Sequence, residues 1–485
     1  MNHMMMSNRV TLSLGGWFSN SRVRVWIVCG LLTCVGMTSA NENANAASTD
    51  RHVILVSLDG FAQFLLDDPH SDLATLRQLA REGAVAESGM TCSFPTVTWP
   101  NHTTLVTGVP PARHGVLGNA VYNREKQERV GLLIDPIFDK DQIVRSPTIY
   151  DAAHQAGLKT AGVIWPATRN AKSLDLNVPD MAGDLMPKFA TTSWIEELKK
   201  EKLPYDRYGD WVKAKEGGPR RDWMATRTAI NALTTHKANL VLLHLIELDH
   251  VEHAVGPHGG DVSWAVSTMD DRLRDLRDAI EAAGMRDKTT VIVVSDHGFF
   301  DIDHNIHANV ELQRLGLIQT EAQKVVSKQA WTVSQGGGAA VYILDQANRD
   351  AIATKIKQAM LKVEGVEAVF EPGEFAKIGQ STMAEDPHSP DLWLAAKKGY
   401  SFSEGTTSEQ VVTRVTRAGT HGFLPESDEM HGILIAWGAG IKPGTKLGRI
   451  KNTQVAPTIA RLLGLEFPSA EGKPLESMLS QDDKH

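Results

Sequence analysis

A short apolar run that ends in a polar cluster occurs four times in this sequence, and this repeat constrains the fold more than any other feature. The first run, residues 52–58, is rich in β-branched side chains and leads directly into Asp59 and Gly60. Such a run predicts a strand buried on both faces, as in a parallel sheet. The other three runs lie at 160–165, 239–245 and 289–295. Because α/β proteins carry their chemistry at the carboxyl ends of such strands, we expect a functional site at this edge.

Helical periodicity fills the intervals between these runs, at 72–82, 147–156, 221–237 and 261–284. Strand followed by helix, repeated, predicts a mostly parallel sheet with helices on both faces, so the expected fold class is α/β. A strand at 432–438 and a helix at 454–463 extend this pattern. Residues 311–414 interrupt it with a glycine-rich strand from Gly336 and a long helix at 346–363. We therefore expect an inserted smaller subdomain there.

The beginning of the sequence has the character of a signal peptide, because Arg22 and Arg24 precede an apolar run at 25–37 and small residues follow. The run is shorter than the roughly 20 residues of a membrane-spanning helix, so no stable membrane span is expected. An uncleaved anchor and lipidation at Cys34 are the weaker alternatives. The expected location is periplasmic or secreted. The predicted segments are a signal peptide at 1–47, a catalytic core at 48–310 and 415–485, and the inserted subdomain at 311–414.

The charge of the chain limits the partners that it can bind. The formal net charge is -8, and no basic run stands out. We therefore expect no binding to a nucleic-acid polymer. An acidic protein can still bind phosphate esters when metal ions supply local positive charge. Of the three cysteines, only Cys92 follows the predicted leader, so we expect no disulfide within the mature chain.

Five polar clusters stand at or just beyond the predicted strand ends: Asp59, residues 94–102, Asp249 with His253, Asp296 with His297, and His421. Each alone has an ordinary explanation, such as a helix cap or a salt bridge between residues four apart on a helix. Together they supply carboxylates and imidazoles, a ligand mixture that suits zinc, and a candidate nucleophile. Two three-ligand sets about 4 Å apart would form the two-metal clamp used for in-line displacement at phosphorus.

Thr98 is the candidate nucleophile within the second cluster. Residues 101–107 predict a short helix, and Pro100 before them is tolerated in a first turn. A phosphoryl group on Thr98 would meet the unsatisfied N–H groups at the positive end of that helix. Zinc lowers the pKa of bound water to about 7 and is expected to activate an alcohol similarly. The alternatives are that Thr98 is only an N-cap, and that Thr96 is the nucleophile.

The segment Pro95-Thr-Val-Thr-Trp-Pro-Asn-His102 resembles the Pro-Thr-x-Thr-Phe-Pro-Asn-His nucleophile segment of the nucleotide pyrophosphatase/phosphodiesterase branch of the alkaline phosphatase superfamily. Further segments resemble the metal-binding motifs of that family, namely Leu58-Asp-Gly60, Asp249-His-Val-Glu-His253 with Gly256-Pro257, Ser295-Asp-His-Gly298 and Thr420-His-Gly-Phe423. The resemblance covers essentially the whole chain after the leader. It implies an alkaline-phosphatase-like fold.

The resemblance also implies two Zn²⁺ per chain and the residues that hold them. The ligands implied for one zinc are Asp249, His253 and His421, and those for the other are Asp59, Thr98, Asp296 and His297. Asn119 would donate a hydrogen bond to a phosphoryl oxygen, and Trp99 and Trp165 would border a pocket for a nucleoside base. The implied activity is hydrolysis of phosphate diesters, with a small-molecule phosphate ester such as a nucleotide as substrate and a phosphothreonine intermediate on Thr98.

Departures from the family pattern leave the substrate open. Trp99 stands where the family usually has Phe, and His421-Gly-Phe-Leu-Pro replaces the common His-Gly-Tyr-Asp-Asn. Three enzymatic alternatives keep the same core: a phosphate monoesterase, a choline or phospholipid phosphodiesterase, and a phosphonoacetate-type hydrolase. A monoesterase needs a further cation for the extra charge, and Arg169 is the candidate. A binding protein without turnover is the non-enzymatic alternative. The sequence does not predict the oligomeric state.

Overall fold

The computed structural model describes residues 50–133, 138–214 and 217–480, and an eight-stranded sheet forms the centre of this part of the chain. Its strands are β1 (His52–Leu58), β2 (Ala84–Ala86), β3 (Thr160–Trp165), β4 (Leu176–Pro179), β5 (Leu240–Leu245), β6 (Thr289–Val294), β7 (Leu434–Gly438) and β8 (Thr445–Leu447). Their order across the sheet is β8-β2-β7-β6-β1-β5-β3-β4. The apolar runs at 52–58, 160–165, 239–245 and 289–295 therefore form neighbouring strands, with β1 between β5 and β6.

The directions of the strands confirm the expected fold class. Strand β1 runs parallel to both β5 and β6, and β3 runs parallel to β5. Strand β7 runs antiparallel to both of its neighbours, β6 and β2. The sheet is thus mostly parallel, and the carboxyl ends of β3, β5, β1 and β6 meet along one edge.

Both faces of the sheet are covered, because successive side chains of a strand point to opposite sides. On one face, Ile54, Val56 and Leu58 pack with buried side chains of the helices Ala74–Glu82, Gly218–Thr234 and Gly260–Ala282. On the other face, Val53 and Leu55 pack with the helices Thr98–Thr107, Ile149–Gln155 and Val455–Leu463. All seven residues of β1 are buried. This two-sided burial explains why the strand sequences are continuous apolar runs.

The α-helices of the described residues are Gln63–Asp67, Ala74–Glu82, Thr98–Thr107, Pro111–His114, Lys140–Ile143, Ile149–Gln155, Met186–Phe189, Thr192–Lys200, Tyr208–Lys213, Gly218–Thr234, Glu247–Val255, Gly260–Ala282, Ala308–Arg314, Arg349–Met360 and Val455–Leu463. The helices predicted from periodicity occur within about three residues of their expected ends, which is the usual uncertainty at frayed termini. The helix predicted at 101–107 begins earlier, at Thr98, and includes Pro100 in its first turn.

A second region, between β6 and β7, contains two further sheets with mostly antiparallel pairing. Four strands form one sheet, in the order Ala330–Gln335, Gly338–Ile343, Leu392–Ala396 and Val366–Phe370. A three-stranded sheet places Phe300–His307 between Gly399–Ser403 and Val412–Thr420. The small pair Ile318–Glu321 with Lys324–Lys328 also lies in this region. Two further small pairs lie outside it, Ala120–Asn123 with Glu128–Gly131 and Met90–Thr91 with Ile450–Lys451.

The segment boundaries at 48–310, 311–414 and 415–485 stay predictions. The signal peptide predicted at 1–47 lies outside the described residues. Within the part of the chain that the structure describes, no helix combines the length and the apolar character needed to cross a membrane.

Candidate metal centre and active site

Three adjacent strands bring the polar clusters together at the carboxyl edge of the sheet. Asp59 follows β1, Asp296 and His297 follow β6, and the helix Glu247–Val255 after β5 carries Asp249 and His253. His421 comes from the end of the strand Val412–Thr420. These segments surround a cavity of about 500 Å³ whose wall includes Asp59, Thr98, Asp249, His253 and His421.

The outer group consists of Asp249, His253 and His421. Nε2 of His421 lies 3.2 Å from Nε2 of His253 and 3.5 Å from Oδ1 of Asp249, and His253 Nε2 lies 3.5 Å from the same oxygen. A tetrahedral zinc with bonds of 2.0 to 2.1 Å holds its ligand atoms about 3.3 to 3.4 Å apart. The three donor atoms therefore already have the spacing of a metal site.

Hydrogen bonds orient both imidazoles of the outer group. His253 Nδ1 is 3.2 Å from the Gly419 carbonyl oxygen, and His421 Nδ1 is 3.1 Å from the Thr96 carbonyl oxygen. A carbonyl can only accept, so each Nδ1 donates and each Nε2 keeps its lone pair toward the other donors. Burial, reinforced by His253, lowers the pKa of His421 to about 4, which keeps the ring in the neutral form that binds a metal.

The inner group consists of Asp59, Asp296 and His297. His297 Nε2 lies 3.2 Å from Oδ2 of Asp296 and 3.4 Å from Oδ1 of Asp59. Donor atoms of Asp59, Asp249 and His297 also all lie within 4.8 Å of one another. The inner and outer groups therefore adjoin at Asp249, as two neighbouring metal positions require.

The donor atoms of the inner group lack the partners that buried polar atoms normally have. Asp59 Oδ1, Asp296 Oδ2 and His297 Nε2 are buried and have no hydrogen-bond partner among the described residues. Burial and the neighbouring carboxylates raise the pKa of both Asp59 and Asp296 well above the ordinary value. A cation between these atoms would satisfy them and favour the ionised carboxylates. The residues present therefore fit a bound metal ion.

Thr98 stands at the start of the helix Thr98–Thr107 and lines the cavity. The preceding residue, Val97, is extended, with φ -128° and ψ 161°, so the helix begins abruptly at Thr98. The Thr98 side chain lies at the positive end of this helix, where Trp99 N–H donates to Asn119 Oδ1 and Asn101 N–H donates to the Val97 carbonyl oxygen. The Thr98 carbonyl oxygen accepts a hydrogen bond from His102 Nδ1 at 2.9 Å. This arrangement brings Thr98 and a helix N-terminus to the cavity wall beside the three outer donors and Asp59 of the inner group.

Thr96, the alternative nucleophile, has a different environment. It is fully buried, and its hydroxyl donates to the Phe423 carbonyl oxygen at 3.0 Å and accepts from Gly422 N–H at 3.0 Å. Its carbonyl oxygen accepts the bond from His421 described above. Thr96 thus fastens the segment that carries His421 and has no access to the cavity.

Asn119 and Trp99 also line the cavity, and a hydrogen bond connects them. Asn119 Oδ1 accepts from the Trp99 backbone N–H at 2.8 Å, which leaves the Asn119 side-chain NH₂ free to donate. The Trp99 ring is 8% exposed and packs against Val116, Leu132 and Val144. Most of the ring therefore serves the core, and one part of it faces the cavity.

The structure does not bring Trp165 to the cavity, in contrast to the expectation from the sequence. Its side chain is fully buried and meets the His102 ring edge to face at 4.9 Å. The end of β3 is irregular, because Ile164 has φ 56° and the pairing with β4 shifts. The Trp165 indole lies in the core on the side of the sheet covered by the helices Thr98–Thr107, Ile149–Gln155 and Val455–Leu463. Arg169 is also engaged elsewhere, because its Nε lies 2.7 Å from Oδ1 of Asp139.

His244 is a site residue that the sequence analysis did not identify. It lies in β5, is 2% exposed, and its Nε2 is 2.9 Å from Oδ2 of Asp59. Its Nδ1 is 3.0 Å from the carbonyl oxygen of Ile164. His244 thereby fixes one oxygen of Asp59 and leaves the other for the metal position. The signal was present as a single polar residue inside the apolar run Leu240-Val-Leu-Leu-His-Leu245.

Glu252 was also missed. Its side chain is fully buried, and neither carboxyl oxygen has a hydrogen-bond partner among the described residues. Burial, followed by the carboxylates of Asp249 and Asp59, raises its pKa well above the ordinary value. The sequence offered only the pattern Asp249-His-Val-Glu-His253, in which Glu252 looks like a polar residue on a helix surface.

An α/β sheet whose carboxyl edge carries two adjoining groups of carboxylate and imidazole donors is the arrangement of a metal-dependent hydrolase. The family model "Type I phosphodiesterase / nucleotide pyrophosphatase" matches residues 53–424. The chain belongs to this family, whose members hydrolyse phosphoric ester or anhydride bonds. The family is metal-dependent, in agreement with the candidate metal groups described above.

Individual relatives have a low sequence identity to this chain. Ectonucleotide pyrophosphatase/phosphodiesterase 1 of Saccharomyces cerevisiae is 22% identical over 436 residues, which is 85% of this chain but only 56% of the yeast protein. Ectonucleotide pyrophosphatase/phosphodiesterase family member 7 of Mus musculus is 24% identical over 451 residues, covering 92% of this chain and 91% of the mouse protein.

Among solved structures, inactive murine ectonucleotide pyrophosphatase / phosphodiesterase 5 in complex with AMP superimposes with a TM-score of 0.67 at 19% identity. The match covers 89% of this chain and 100% of the murine chain. At this identity the likeness establishes the fold, which confirms the alkaline-phosphatase-like architecture expected from the sequence.

Proposed function

We propose that this protein is an exported two-zinc phosphodiesterase and nucleotide pyrophosphatase that hydrolyses phosphate diesters through a phosphothreonine on Thr98. The observation that carries the proposal is one cavity whose wall includes Thr98, all three outer donors and Asp59 of the inner group. Export rests on the signal peptide predicted from the sequence and gives a periplasmic or secreted enzyme.

Zinc is the proposed metal because the donors are imidazole and carboxylate and because the outer group already has tetrahedral spacing. Asp249, His253 and His421 would hold one ion, and Asp59, Asp296 and His297, with Thr98, would hold the other. When bound, the two ions supply Lewis acidity toward the nucleophile and the leaving oxygen. The residues themselves fix the geometry, because strand ends, His244 and Thr96 hold the donors.

In the proposed reaction, Thr98 Oγ attacks phosphorus and loses its proton, while the bond from phosphorus to the leaving alcohol or phosphate breaks. Water then cleaves the phosphothreonine and regenerates the hydroxyl. The positive end of the dipole of the helix Thr98–Thr107 favours the added negative charge. The free NH₂ of Asn119 would donate to a phosphoryl oxygen, since its Oδ1 is already occupied by Trp99 N–H.

The proposed substrates are nucleotide diesters or pyrophosphates. The exposed part of the Trp99 ring offers a flat surface on which a base gains about 1 to 3 kcal/mol by stacking, without selecting among bases. The murine relative solved with AMP supports a nucleotide-sized ligand for this fold. Monoesters lose support, because Arg169, the candidate for their extra charge, is paired with Asp139. A faster reaction with choline phosphodiesters or phosphonoacetate-type substrates than with nucleotides in the same assay would favour that alternative activity.

The first prediction concerns Thr98. Thr98→Ala should lower kcat for a bis-aryl phosphate by at least about 1,000-fold, because activation and transfer both pass through this oxygen. Metal content, measured by elemental analysis, should stay near two ions per chain, since the carboxylate and imidazole donors remain. Single-turnover quenching of the unchanged enzyme with a phosphorus-labelled diester, followed by peptide mass spectrometry, should locate the phosphoryl group on Thr98.

Thr96→Ala is the matched control, because it removes an identical hydroxyl two residues away that has no access to the cavity. We expect it to lower the thermal midpoint and to keep a labelled Thr98. A label on Thr96, or full turnover by Thr98→Ala, would refute the nucleophile assignment. Faster hydrolysis of a mono-aryl phosphate than of the bis-aryl phosphate would replace the diesterase by the monoesterase.

A further inference from the structure

The turn at 335–338, which joins two strands of the antiparallel four-stranded sheet, reaches the candidate active site. It connects Ala330–Gln335 to Gly338–Ile343 and consists of Gln335 followed by three glycines. The sequence shows this run only as the start of a strand in an inserted region. In the structure, the turn contacts two separate segments of the site.

The first contact is made by the side-chain amide of Gln335, which is 4% exposed. Its Oε1 accepts from the backbone N–H of Asn119 at 2.8 Å, and its Nε2 donates to the backbone oxygen of Ala120 at 2.7 Å. Gly118 lies flat against this amide, because a Cβ at that position would come within 2.6 Å of Oε1. The buried Gln335 side chain thus fixes both the backbone N–H of Asn119 and the backbone carbonyl of Ala120.

The second contact is made by the glycines. Gly337 N–H donates to the His421 carbonyl oxygen at 2.8 Å. A Cβ on Gly336 would come within 2.2 Å of the same oxygen, and Gly336 has φ 75°, a conformation that favours glycine. The Gln335 carbonyl likewise leaves no room for a Cβ on Gly422, which would lie 1.7 Å away. The turn is therefore packed directly against the segment that carries His421.

These contacts form a continuous path of hydrogen bonds to the first turn of the helix Thr98–Thr107. Gln335 holds the backbone of Asn119, and the side chain of Asn119 accepts from Trp99 N–H, one residue after Thr98. On its other side the turn holds the backbone of His421, a member of the outer group. The turn thus sets the separation between the Asn119 side chain and the outer group.

We propose that Gln335 is a positioning residue for the reaction: it holds Asn119 at the distance from the metal centre at which the Asn119 NH₂ meets a phosphoryl oxygen. This inference rests on the proposed function, in which Asn119 donates to that oxygen. A misplacement of about 1 Å in a positioned group costs up to about 100-fold in rate. The binding of the remainder of the substrate does not pass through Gln335, so the effect falls on kcat rather than on KM.

The test is a double-mutant cycle on the metal-loaded enzyme with a bis-aryl phosphate as substrate. Gln335→Met keeps the length of the side chain and removes both hydrogen bonds. We expect it to lower kcat about 10- to 100-fold with KM little changed. In the Asn119→Ala background the same substitution should cause no further loss of kcat, because the group that it positions is absent.

Asn309→Leu is the matched control. The side-chain amide of Asn309 is buried and hydrogen-bonds to the backbone of Thr332. Thr332 lies in the same strand as Gln335, and neither Asn309 nor Thr332 lines the cavity. It should lower the thermal midpoint about as much as Gln335→Met and leave kcat unchanged. If Gln335→Met does not fold, Gln335→Glu takes its place in the cycle, because it keeps the acceptor for Asn119 N–H. It should retain more than half of the coupling between positions 335 and 119.

The outcomes separate the inference from the proposed function. An equal loss of kcat in both backgrounds, or an equal loss in Asn309→Leu, would make Gln335 a structural residue only. Full kcat in Gln335→Met together with a large loss in Asn119→Ala would overturn the inference and keep the role of Asn119. Full activity in Asn119→Ala would overturn both.

Discussion

The inner and outer groups contain the same kinds of donor but are held in different ways. The side chains of Asp296 and His297 are completely buried, whereas His253 is 43% and Asp249 20% exposed. The inner donors follow directly from β1 and β6, and the outer donors lie on a helix and on the segment after the strand Val412–Thr420. The inner half of the site is therefore built from the edge of the central sheet. The outer half is built from segments that pack beside that edge.

Contacts behind the donors increase this difference. In the inner group, Asp296 Oδ1 accepts from Gly60 N–H at 3.2 Å, and Asp59 is held by His244. In the outer group, each imidazole is oriented by one carbonyl oxygen. Partners behind metal ligands commonly change metal affinity by about 10- to 100-fold. We therefore expect the inner ion to exchange slowly and the outer ion to be lost first to a chelator.

The largest expected effect comes from removing one imidazole from each group. His297→Ala should lower kcat/KM about 1,000-fold or more, because the loss of an ion removes several kcal/mol of charge stabilisation and the buried carboxylates lose their partner. His253→Ala should cost only about 10- to 100-fold, since water reaches this exposed position and can take the place of the ring.

Zinc titration distinguishes the two variants. Added zinc should restore a large part of the activity of His253→Ala and little of that of His297→Ala. Elemental analysis after dialysis should find about one ion per chain in each. Equal losses and equal recovery in both variants would remove the distinction between a buried and an exposed group.

A smaller effect is expected from His244, which acts on the inner group through Asp59. His244→Gln should lower activity about 10-fold at limiting zinc, because Asp59 loses the partner that fixes its Oδ2. Excess zinc should recover most of that loss, and the thermal midpoint of the zinc-saturated protein should change little. A loss that zinc does not recover would show that His244 supports the fold of β5 rather than the ligand.

The smallest expected effect concerns pH. Acid can protonate the donors of either metal group, but it also lowers the stability of the fold through residues outside both groups. His114 lies outside both groups, is fully buried, and accepts from Val116 N–H while its Nε2 lies 3.0 Å from the Thr104 hydroxyl. Burial, reinforced by Arg145, lowers its pKa to about 3. Its unfolded pKa is about 6.5. Stability from this group is therefore complete above about pH 6.5 and is lost as the pH falls toward 3, since only the unfolded chain takes up the proton.

His114→Gln should be less stable than the unchanged protein at pH 7, and the gap in unfolding free energy should narrow by about 2 kcal/mol on going to pH 5. Urea unfolding of both proteins at the two pH values measures this gap. The metal-binding histidines are common to both proteins, so their protonation cancels in the difference. A gap that does not change with pH would contradict the low pKa of His114.

The sequence was sufficient for the fold class because strand burial leaves a direct trace. The run 52–58 and its three counterparts predicted the strands β1, β3, β5 and β6 of a mostly parallel sheet, and the structure places these strands side by side. The donors at the strand ends could also be predicted, since Asp59 follows β1 directly and Asp296 comes two residues after the end of β6. The roles assigned to these residues and to Thr98 stay predictions that the experiments above address.

What the sequence did not provide depends on contacts between distant segments. Trp165 was expected at the pocket because it ends a strand, but the turn of the backbone at Ile164 decides which way the ring points. His244 looked like one more core position in β5, and its partner Asp59 lies 185 residues away. Gln335 precedes a run of glycines in the sequence, and only the structure shows that this turn contacts the backbone of Asn119 and of His421. A single sequence carries no signal for such pairs.

The bond between the Thr96 hydroxyl and the Phe423 carbonyl joins residues 327 positions apart, and this separation has a consequence for biosynthesis. At about 5 to 20 residues per second, the ribosome adds Phe423 roughly 15 to 65 s after Thr96. Through that interval the segment around Thr98 has neither its clamp nor His421, and strand β7 has not yet joined the sheet. The nascent chain is therefore without an assembled active site until His421 and β7 have been added, so chains that end before His421 should be catalytically silent.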